Sequence, residues 1–96
     1  MENTKIVNLI KKIAEERDER AFSEIFDFIA PKINAYYIKN NLSSEQAKEL
    51  TQEVLSTIWI KAKLFNPEKS KFITWSFTIA RNKRIDFYRK SKKSNA

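Results

Sequence analysis

Residues 70–93, SKFITWSFTIARNKRIDFYRKSKK, combine side chains that together can bind a polyanion. Aromatic rings stack on unpaired bases, Arg and Lys neutralise phosphates, and Asn and Thr form hydrogen bonds with base edges. On a helical wheel that starts at Phe72, one face collects such side chains, which predicts contact with DNA that is partly duplex and partly opened. This face carries Thr74, Trp75, Thr78, Arg81, Asn82, Ile85 and Arg89.

Trp75 also has a purely structural interpretation. It can pack against the first helix of the domain or close one edge of it, and the pattern alone does not separate this from base stacking. Phe72, Ile73, Ser76, Phe77, Ile79, Ala80 and Phe87 lie on the other side of the wheel and form the predicted core face.

The net charge of +7 is concentrated in the last third of the chain. Residues 1–68 contain 10 Lys and Arg against 11 Asp and Glu, whereas residues 69–96 contain 9 Lys and Arg against a single Asp. Such an excess is typical of polyanion binding. Nucleic acid is the first candidate and an anionic membrane surface the second, and a solvated basic tail remains the alternative.

A second candidate site precedes the basic segment. Glu45, Glu49 and Glu53 recur every four residues beside Gln52, in SSEQAKELTQEVLSTIWIKAKLF. Like charges at this spacing destabilise a helix modestly, so the stripe suggests a cationic partner. A solvated helix face is the alternative explanation.

Apolar periodicity predicts four helices that position these side chains, and an all-α fold with one core. Ser43 and Gln46 form a capping-box pattern, and Asn66–Pro67 marks the turn before the last helix. Pro31 predicts a kink near residues 27–31, or two abutting helices. The predicted core positions are Ile6, Leu9, Ile10 and Ile13 in the first helix, Phe22, Ile25, Phe26, Ile29, Ile33 and Tyr36 or Tyr37 in the second, and Ala47, Leu50, Val54, Ile58 and Ala62 in the third.

Composition excludes several classes of protein. The chain has no Gly, which disfavours β-hairpins and phosphate-binding loops, and it has no Cys or His, which excludes zinc fingers, thiol chemistry and a histidine base. We therefore expect no enzyme, no metal and no cofactor. The chain has no apolar run long enough for a signal peptide or a membrane span. The cytoplasm is therefore the expected location, and a membrane is not an expected partner. The 96 residues suffice for one domain, predicted as 1–92 with the start of a linker or a frayed tail at 93–96.

Two motifs give the chain a family resemblance. ELTQEVL followed by a tryptophan, at 49–59, and FITWSFTIARNKRIDFYRK, at 72–90, are similar to region two of bacterial sigma factors, most closely the extracytoplasmic-function group. The run DERAFSEIFDFIAPKINAYY also resembles the preceding helix of that domain. The resemblance covers residues 18–92. It implies a helical domain that docks on the clamp helices of the largest RNA polymerase subunit and recognises and melts the minus-ten promoter element.

The resemblance also implies roles for individual residues. Polymerase contacts fall on Glu49, Gln52 and Glu53, with Leu55 and Trp59 near them. Contacts with the opening non-template strand fall on Phe72, Thr74, Trp75 and Thr78, and contacts with the upstream duplex on Arg81, Asn82, Ile85 and Arg89. The loop 65–71, with Asn66, Lys69 and Lys71, corresponds to the loop that captures a flipped-out base. An anti-sigma factor is a further partner that the resemblance allows.

The chain departs from the family pattern in four respects. Glu49 stands where Asp is common, Lys48 where an acidic residue is usual, and Leu55 where Phe is common. The helix-turn-helix domain that reads the minus-thirty-five element is absent. We therefore expect either an excised domain of a longer protein, which we favour, or an unusually short member of the family. Two other functions remain open: a general helical domain for single-stranded nucleic acid without a polymerase partner, and an interaction protein that sequesters a partner helix.

Overall fold

The structure, a computed structural model, describes residues 1–94, in which four α-helices follow one another along the chain. Helix α1 spans Asn3–Glu16, α2 spans Glu19–Lys39, α3 spans Ser44–Lys61 and α4 spans Phe72–Ser94. A 3₁₀ turn at Ala62–Leu64 extends α3, and residues 1–94 contain no strand. The all-α prediction is therefore confirmed. Helix α4 runs into the segment 93–96 expected to begin a linker, and residues 95 and 96 lie outside the described residues.

Local side-chain contacts mark where two of the helices begin. The Asp18 carboxylate accepts hydrogen bonds from the backbone N–H groups of Arg20 and Ala21, which starts α2. At the start of α3, the Ser43 hydroxyl accepts from the Gln46 N–H at 3.1 Å, and the Gln46 side chain accepts from the Ser43 N–H at 2.9 Å. The predicted capping box is thus confirmed, and each contact satisfies a donor that the helix leaves unpaired.

Helix α2 passes through Pro31 as one continuous helix. The alternative of two abutting helices is therefore wrong. Proline removes one backbone hydrogen bond, but packing of an apolar face supplies most of a helix's stability in a protein. Ile29 and Ile33, on either side of the proline, are fully buried, whereas Pro31 itself is exposed. The interruption therefore falls on the solvent side, and the core holds the helix together on the other.

The core lies between the four helices, and most of it follows the predicted periodicity. All predicted core positions of α1 and α3 are buried, as are Ile25, Ile29 and Ile33 of α2. At the end of α2 the fully buried residue is Tyr37, not Tyr36. Phe26 was predicted as a core residue but is 38% exposed. It lies at the edge of an open groove between α2 and α3, where no other helix covers it.

Helix α4 enters the core along a narrower seam than predicted. Phe72, Ser76 and Ala80 are buried at four-residue intervals, while Ile73 is 42% exposed and its prediction as a core residue is wrong. From Arg81 to residue 91 no residue is buried. The rest of the fold covers one side of α4 as far as Ala80, and beyond it Phe87 is only partly buried where it packs against the core. The rest of α4 therefore exposes most of its surface.

A buried hydrogen bond joins α2 to α4. The Tyr37 hydroxyl donates to the backbone carbonyl of Ala80 at 2.8 Å. Burial, helped by the neighbouring Tyr36 and Glu53, raises the pKa of the Tyr37 phenol well above its ordinary value, although Arg84 acts in the opposite direction. The neutral phenol is the form that suits the fold, because only it can donate to the carbonyl.

Raising the pH is expected to destabilise the domain through Tyr37. In the unfolded chain this phenol loses its proton near pH 10, whereas the folded chain retains it, so the stabilisation is complete below about pH 10 and declines above it. Urea unfolding measured at increasing pH should show a free energy of unfolding that decreases above about pH 10. The Tyr37→Phe variant lacks the titrating group and should show a flatter alkaline decline, and an identical decline in both proteins would contradict the assignment.

Removing the Ser76 hydroxyl is expected to stabilise the domain or leave it unchanged. Ser76 is fully buried, and its Oγ has no hydrogen-bond partner within the described residues. An unpaired buried hydroxyl costs about 1–3 kcal/mol. Ser76→Ala should therefore raise the free energy of unfolding by up to about 1 kcal/mol, because alanine also favours the helix. Ser91→Ala, at an exposed position of α4, is the matched control, and a clear loss of stability in Ser76→Ala alone would show that the hydroxyl is satisfied.

No helix within residues 1–94 has the length and apolar character needed to cross a membrane.

Candidate nucleic-acid and partner interfaces

The outward face of α4 carries the predicted DNA-contact residues together. Thr74, Thr78, Arg81 and Asn82 are exposed, and their positions on one helix place them side by side. The Thr78 hydroxyl donates to the Thr74 carbonyl at 2.9 Å, so its remaining capacity is as an acceptor in this conformation. Farther along the same face lie Ile85, which is 39% exposed, and Arg89.

Arg89 lies 3.8 Å from the Asp86 carboxylate, with both side chains largely exposed. A surface ion pair of this kind contributes little, because solvent screens it. Arg89 therefore remains available to a more strongly charged partner such as a phosphate.

Trp75 combines the two predicted environments, the edge of the core and the solvent-facing side of α4. Its ring is half-buried, with the centroid 5.3 Å from that of Phe65 and 6.1 Å from that of Phe72. The chain after α3 turns back and brings Phe65 beside α4, which the helical wheel could not include. Part of Trp75 thus packs on the edge of the core, while the rest remains open to solvent.

Two predicted contact residues are buried. Phe72 and Leu55 are each 1% exposed, so neither side chain can touch DNA or polymerase directly in this conformation. Phe72 begins the buried seam of α4 and packs edge-on against Phe65 at 5.9 Å. Leu55 follows the buried Val54 on the core side of α3. Both residues therefore support neighbouring surface residues and do not form the surface themselves.

The loop 65–71 is a hydrogen-bonded turn. The Asn66 side-chain oxygen accepts from the Glu68 N–H at 2.9 Å, and the Asn66 carbonyl accepts from the N–H groups of Lys69 and Ser70. The side chain of Asn66 therefore shapes the loop, while Lys69 and Lys71 are exposed and present their charges to solvent.

The acidic stripe of α3 is exposed as predicted. Glu45, Glu49 and Glu53 form no ion pair within 4 Å among the described residues. Across a shallow groove of about 470 Å³ stands Lys83 of α4, so the acidic face borders the basic helix. The groove is lined by Glu49, Gln52, Glu53, Ser56, Thr57 and Lys83. Within residues 1–94, no group of three or more His, Cys, Asp or Glu is placed to hold a metal ion.

Trp59 lies at the end of this face and is partly covered. Its ring packs edge-on against Phe22 at 5.1 Å, and the Arg17 guanidinium stands 3.9 Å above it. Arg17 adopts a left-handed backbone conformation, with φ of 52°, at the junction of α1 and α2. The sequence held no signal for this contact, since 42 positions separate the two residues.

Two further features of the tertiary structure were not predicted from the sequence. A groove of about 480 Å³ runs between α2 and α3, with Phe26, Pro31 and Gln52 on its walls and Thr51 among its lining residues. Near the end of α2, Arg84 of α4 lies between Tyr36 and Tyr88. The groove and the contact between Arg84 and Tyr36 have no sequence signal, because each brings together residues from different helices, whereas Arg84 and Tyr88 lie one turn apart in α4.

Comparison with known proteins identifies the family. Residues 33–94 match the family model described as Sigma-70 region 2. The chain belongs to this family. The matched part of this region 2 domain begins in the second half of α2 and includes all of α3 and α4. The resemblance drawn from the two motifs is thereby confirmed.

The domain resembles two extracytoplasmic-function sigma factors in sequence. It is 44% identical over 91 residues to the ECF RNA polymerase sigma factor RpoE of Cereibacter sphaeroides, a match that covers 95% of this chain and 50% of that protein. It is 24% identical over 78 residues to the ECF RNA polymerase sigma factor SigK of Mycobacterium tuberculosis, covering 81% and 41%. This region 2 domain thus spans about half the length of the relatives that it matches.

A solved structure shares the fold. The crystal structure of Rhodobacter sphaeroides SigE in complex with the anti-sigma ChrR superposes on this domain with a TM-score of 0.86 at 44% identity. The match covers 94% of this chain and 55% of that chain. The predicted sigma-like helical fold is therefore confirmed over nearly the whole domain.

Proposed function

We propose that this region 2 domain acts in transcription initiation by binding core RNA polymerase through α3 and minus-ten promoter DNA through α4. The observation that carries the proposal is the separation of charge onto two exposed faces of one small fold. Glu49 and Glu53 lie on the acidic face and form no ion pair within 4 Å among residues 1–94, and Arg81 and Arg89 lie on the basic face. A domain with two such faces can join a cationic protein surface to a polyanion.

The polymerase-binding face is proposed to consist of Glu49, Gln52 and Glu53, with the exposed part of Trp59 at its end. The partner is the clamp helices of the largest polymerase subunit. Carboxylates without an internal ion pair have no such pair to break on binding. Charge-assisted hydrogen bonds to Lys or Arg of the partner then offset the loss of their hydration. Leu55 supports this face from beneath, because its side chain is buried.

The DNA-binding face is proposed to divide along α4. Thr74, Trp75 and Thr78 serve the opening non-template strand, and the later residues Arg81, Asn82, Ile85 and Arg89 serve the duplex upstream. The loop 65–71 receives a flipped-out base, with Lys69 and Lys71 close to its phosphates. Flipping costs a few kcal/mol, which stacking and pocket contacts offset. No covalent bond changes in this process, so the domain acts as a binding module and not as an enzyme.

Two further aspects belong to the same proposal. The cytoplasm is the compartment in which bacterial polymerase is found, so it is the proposed location of this domain. An anti-sigma factor is a proposed partner, since the structural relative SigE is seen in complex with the anti-sigma ChrR. The general single-strand binder considered earlier leaves the acidic face of α3 without a role.

The test is a comparison of two single-stranded oligonucleotides, one with a minus-ten-like non-template sequence and one scrambled. Fluorescence anisotropy of the labelled strands is recorded with this domain, alone and together with core polymerase. We expect a preference for the minus-ten-like strand. Trp75→Ala should weaken that binding by about 1–3 kcal/mol, the usual value of one base–aromatic stack.

Controls separate binding from folding. Trp75 packs on Phe65, so circular dichroism must first show that Trp75→Ala is folded at the temperature of the assay. Asn82→Ala changes an exposed residue and should weaken binding without loss of stability, whereas Asn8→Ala, exposed on α1, should change neither. Equal affinity for both strands, unaffected by Trp75 and Asn82, would disprove the proposed promoter recognition.

A further inference from the structure

Arg84 is held in place by two aromatic residues. Its guanidinium carbon lies 5.6 Å from the ring centroid of Tyr36 on α2 and 6.0 Å from that of Tyr88 one turn farther along α4. Its Nε–H donates to the Tyr36 hydroxyl at 3.2 Å. The guanidinium is thus oriented by a hydrogen bond and by cation–π contacts with two rings.

The two tyrosines are themselves fixed to the end of α2. The Tyr88 hydroxyl donates to the Asn40 carbonyl at 2.9 Å, and the Asn40 side-chain amide donates to the Tyr36 carbonyl at 2.8 Å. Asn40 is the C-cap residue directly after α2. Arg84 therefore stands on a support that joins α2 to the part of α4 beyond its buried seam.

This support leaves most of the guanidinium's donors unused. An arginine has five N–H donors, and within the described residues only the Nε–H of Arg84 has a hydrogen-bond acceptor. Arg84 forms no ion pair within 4 Å with a described carboxylate, and Asp86, its nearest acidic neighbour in sequence, pairs with Arg89. The guanidinium thus keeps its full positive charge, and the N–H bonds of its two Nη groups can donate to an external acceptor in one plane.

The position of Arg84 determines which acceptor fits. It lies three residues after Arg81, at the edge of the exposed face of α4, and it is half-buried where Arg81 is exposed. A paired set of guanidinium donors matches the two free oxygens of a phosphodiester. Tyr36 and Tyr88 supply no competing negative charge, and ring contacts hold the arginine without neutralising it.

We propose that Arg84 is a pre-positioned ligand for a backbone phosphate of duplex DNA, with Tyr36 and Tyr88 as its positioning residues. The inference rests on the proposed DNA-binding role of α4 and adds a contact at the edge of that face. Arg84 binds no base, so its contribution is independent of sequence and sensitive to salt. An arginine that moved freely in solvent would lose more side-chain entropy on reaching the same phosphate.

The test is the salt dependence of binding to a labelled duplex without a minus-ten sequence. Each phosphate neutralised on B-DNA contributes about −0.9 to the slope of log K against log salt concentration. Arg84→Gln should therefore make the slope shallower by about 0.9. Arg84→Lys, which keeps the charge, should restore most of the slope. Arg20→Gln removes an exposed arginine at the start of α2 and should leave the slope as in the wild-type domain.

Folding and the wider function are controlled separately. Circular dichroism and urea unfolding are recorded for every variant, because Arg84 also joins α2 to α4. Tyr88→Phe keeps the ring but removes the hydrogen bond to Asn40, so it should weaken duplex binding with the slope retained. Binding to core polymerase should be the same for Arg84→Gln and the wild-type domain.

Three outcomes would overturn the assignment. If Arg84→Gln lowers stability but has the slope of Arg20→Gln, Arg84 is only a structural brace. If Arg84→Gln binds the duplex more weakly but keeps the slope of the wild-type domain, the effect is not due to a phosphate contact. If the wild-type domain fails to bind duplex at low salt, the assignment of Arg84 is also wrong. The proposed function is then tested separately, by the measurements of polymerase binding and of the preference for the minus-ten-like strand.

Discussion

Ile58→Asp is expected to leave the domain largely unfolded at 25 °C, whereas Ile60→Asp, two residues farther along α3, leaves it folded. Ile58 is completely buried, and Ile60 is 71% exposed. An unpaired buried charge costs several kcal/mol, and the lost burial of an isoleucine adds about 1.5–3 kcal/mol. The total approaches the whole stability of a typical small domain, about 5–15 kcal/mol.

Far-ultraviolet circular dichroism and urea unfolding measure this difference directly. The two variants have the same change of charge and side chain in the same helix, so helix propensity and net charge cancel in the comparison. A folded Ile58→Asp with a thermal midpoint close to that of Ile60→Asp would mean that α3 does not pack on the core in the way described here.

Reversing two charges on α3 is expected to abolish most of the affinity for core polymerase. In the double variant Glu49→Lys and Glu53→Lys, two exposed carboxylates become cations that face a cationic partner. Removing one member of a buried charge pair at an interface costs about 2–5 kcal/mol, so the double reversal should lower the affinity by at least roughly 100-fold.

The matched control is the double variant Glu15→Lys and Glu16→Lys at the end of α1. Both glutamates are exposed, and the change of net charge is the same. This control should bind core polymerase like the wild-type domain, with the affinity of each protein measured by titration of labelled domain. Equal losses in both double variants would attribute the effect to net charge and would rule out a specific acidic face.

Much of the fold was predictable because it depends on local rules. The buried positions of α1 and α3 follow from apolar residues on one side of a helix of 3.6 residues per turn. The capping box at Ser43 needs only residues three positions apart. The uneven distribution of charge is likewise a property of the chain, and it separates the acidic face of α3 from the basic α4 before any folding is considered.

The errors in predicted burial arose at positions where the exposure of one helix depends on which neighbouring elements cover it. Ile73 and Phe26 have the periodicity of core residues, but the neighbouring elements leave them partly exposed. Leu55 and Phe72 occupy motif positions to which the resemblance assigns surface contacts, whereas both side chains are buried. For Phe72 this is the core position that the helical wheel predicted. Periodicity identifies an apolar side of a helix but not how wide a strip of it the neighbouring helices will cover.

The helical class, the family and the two charged faces follow from the amino-acid sequence, because composition, spacing and capping act over a few residues. The partial burial of Trp75 and the contact of Arg84 with Tyr36 depend instead on how separate segments pack. Arg84 and Tyr36 are 48 positions apart, and the turn after α3 is what brings Phe65 to Trp75. Contacts of this kind depend on how whole helices pack, and no local pattern in the chain records them.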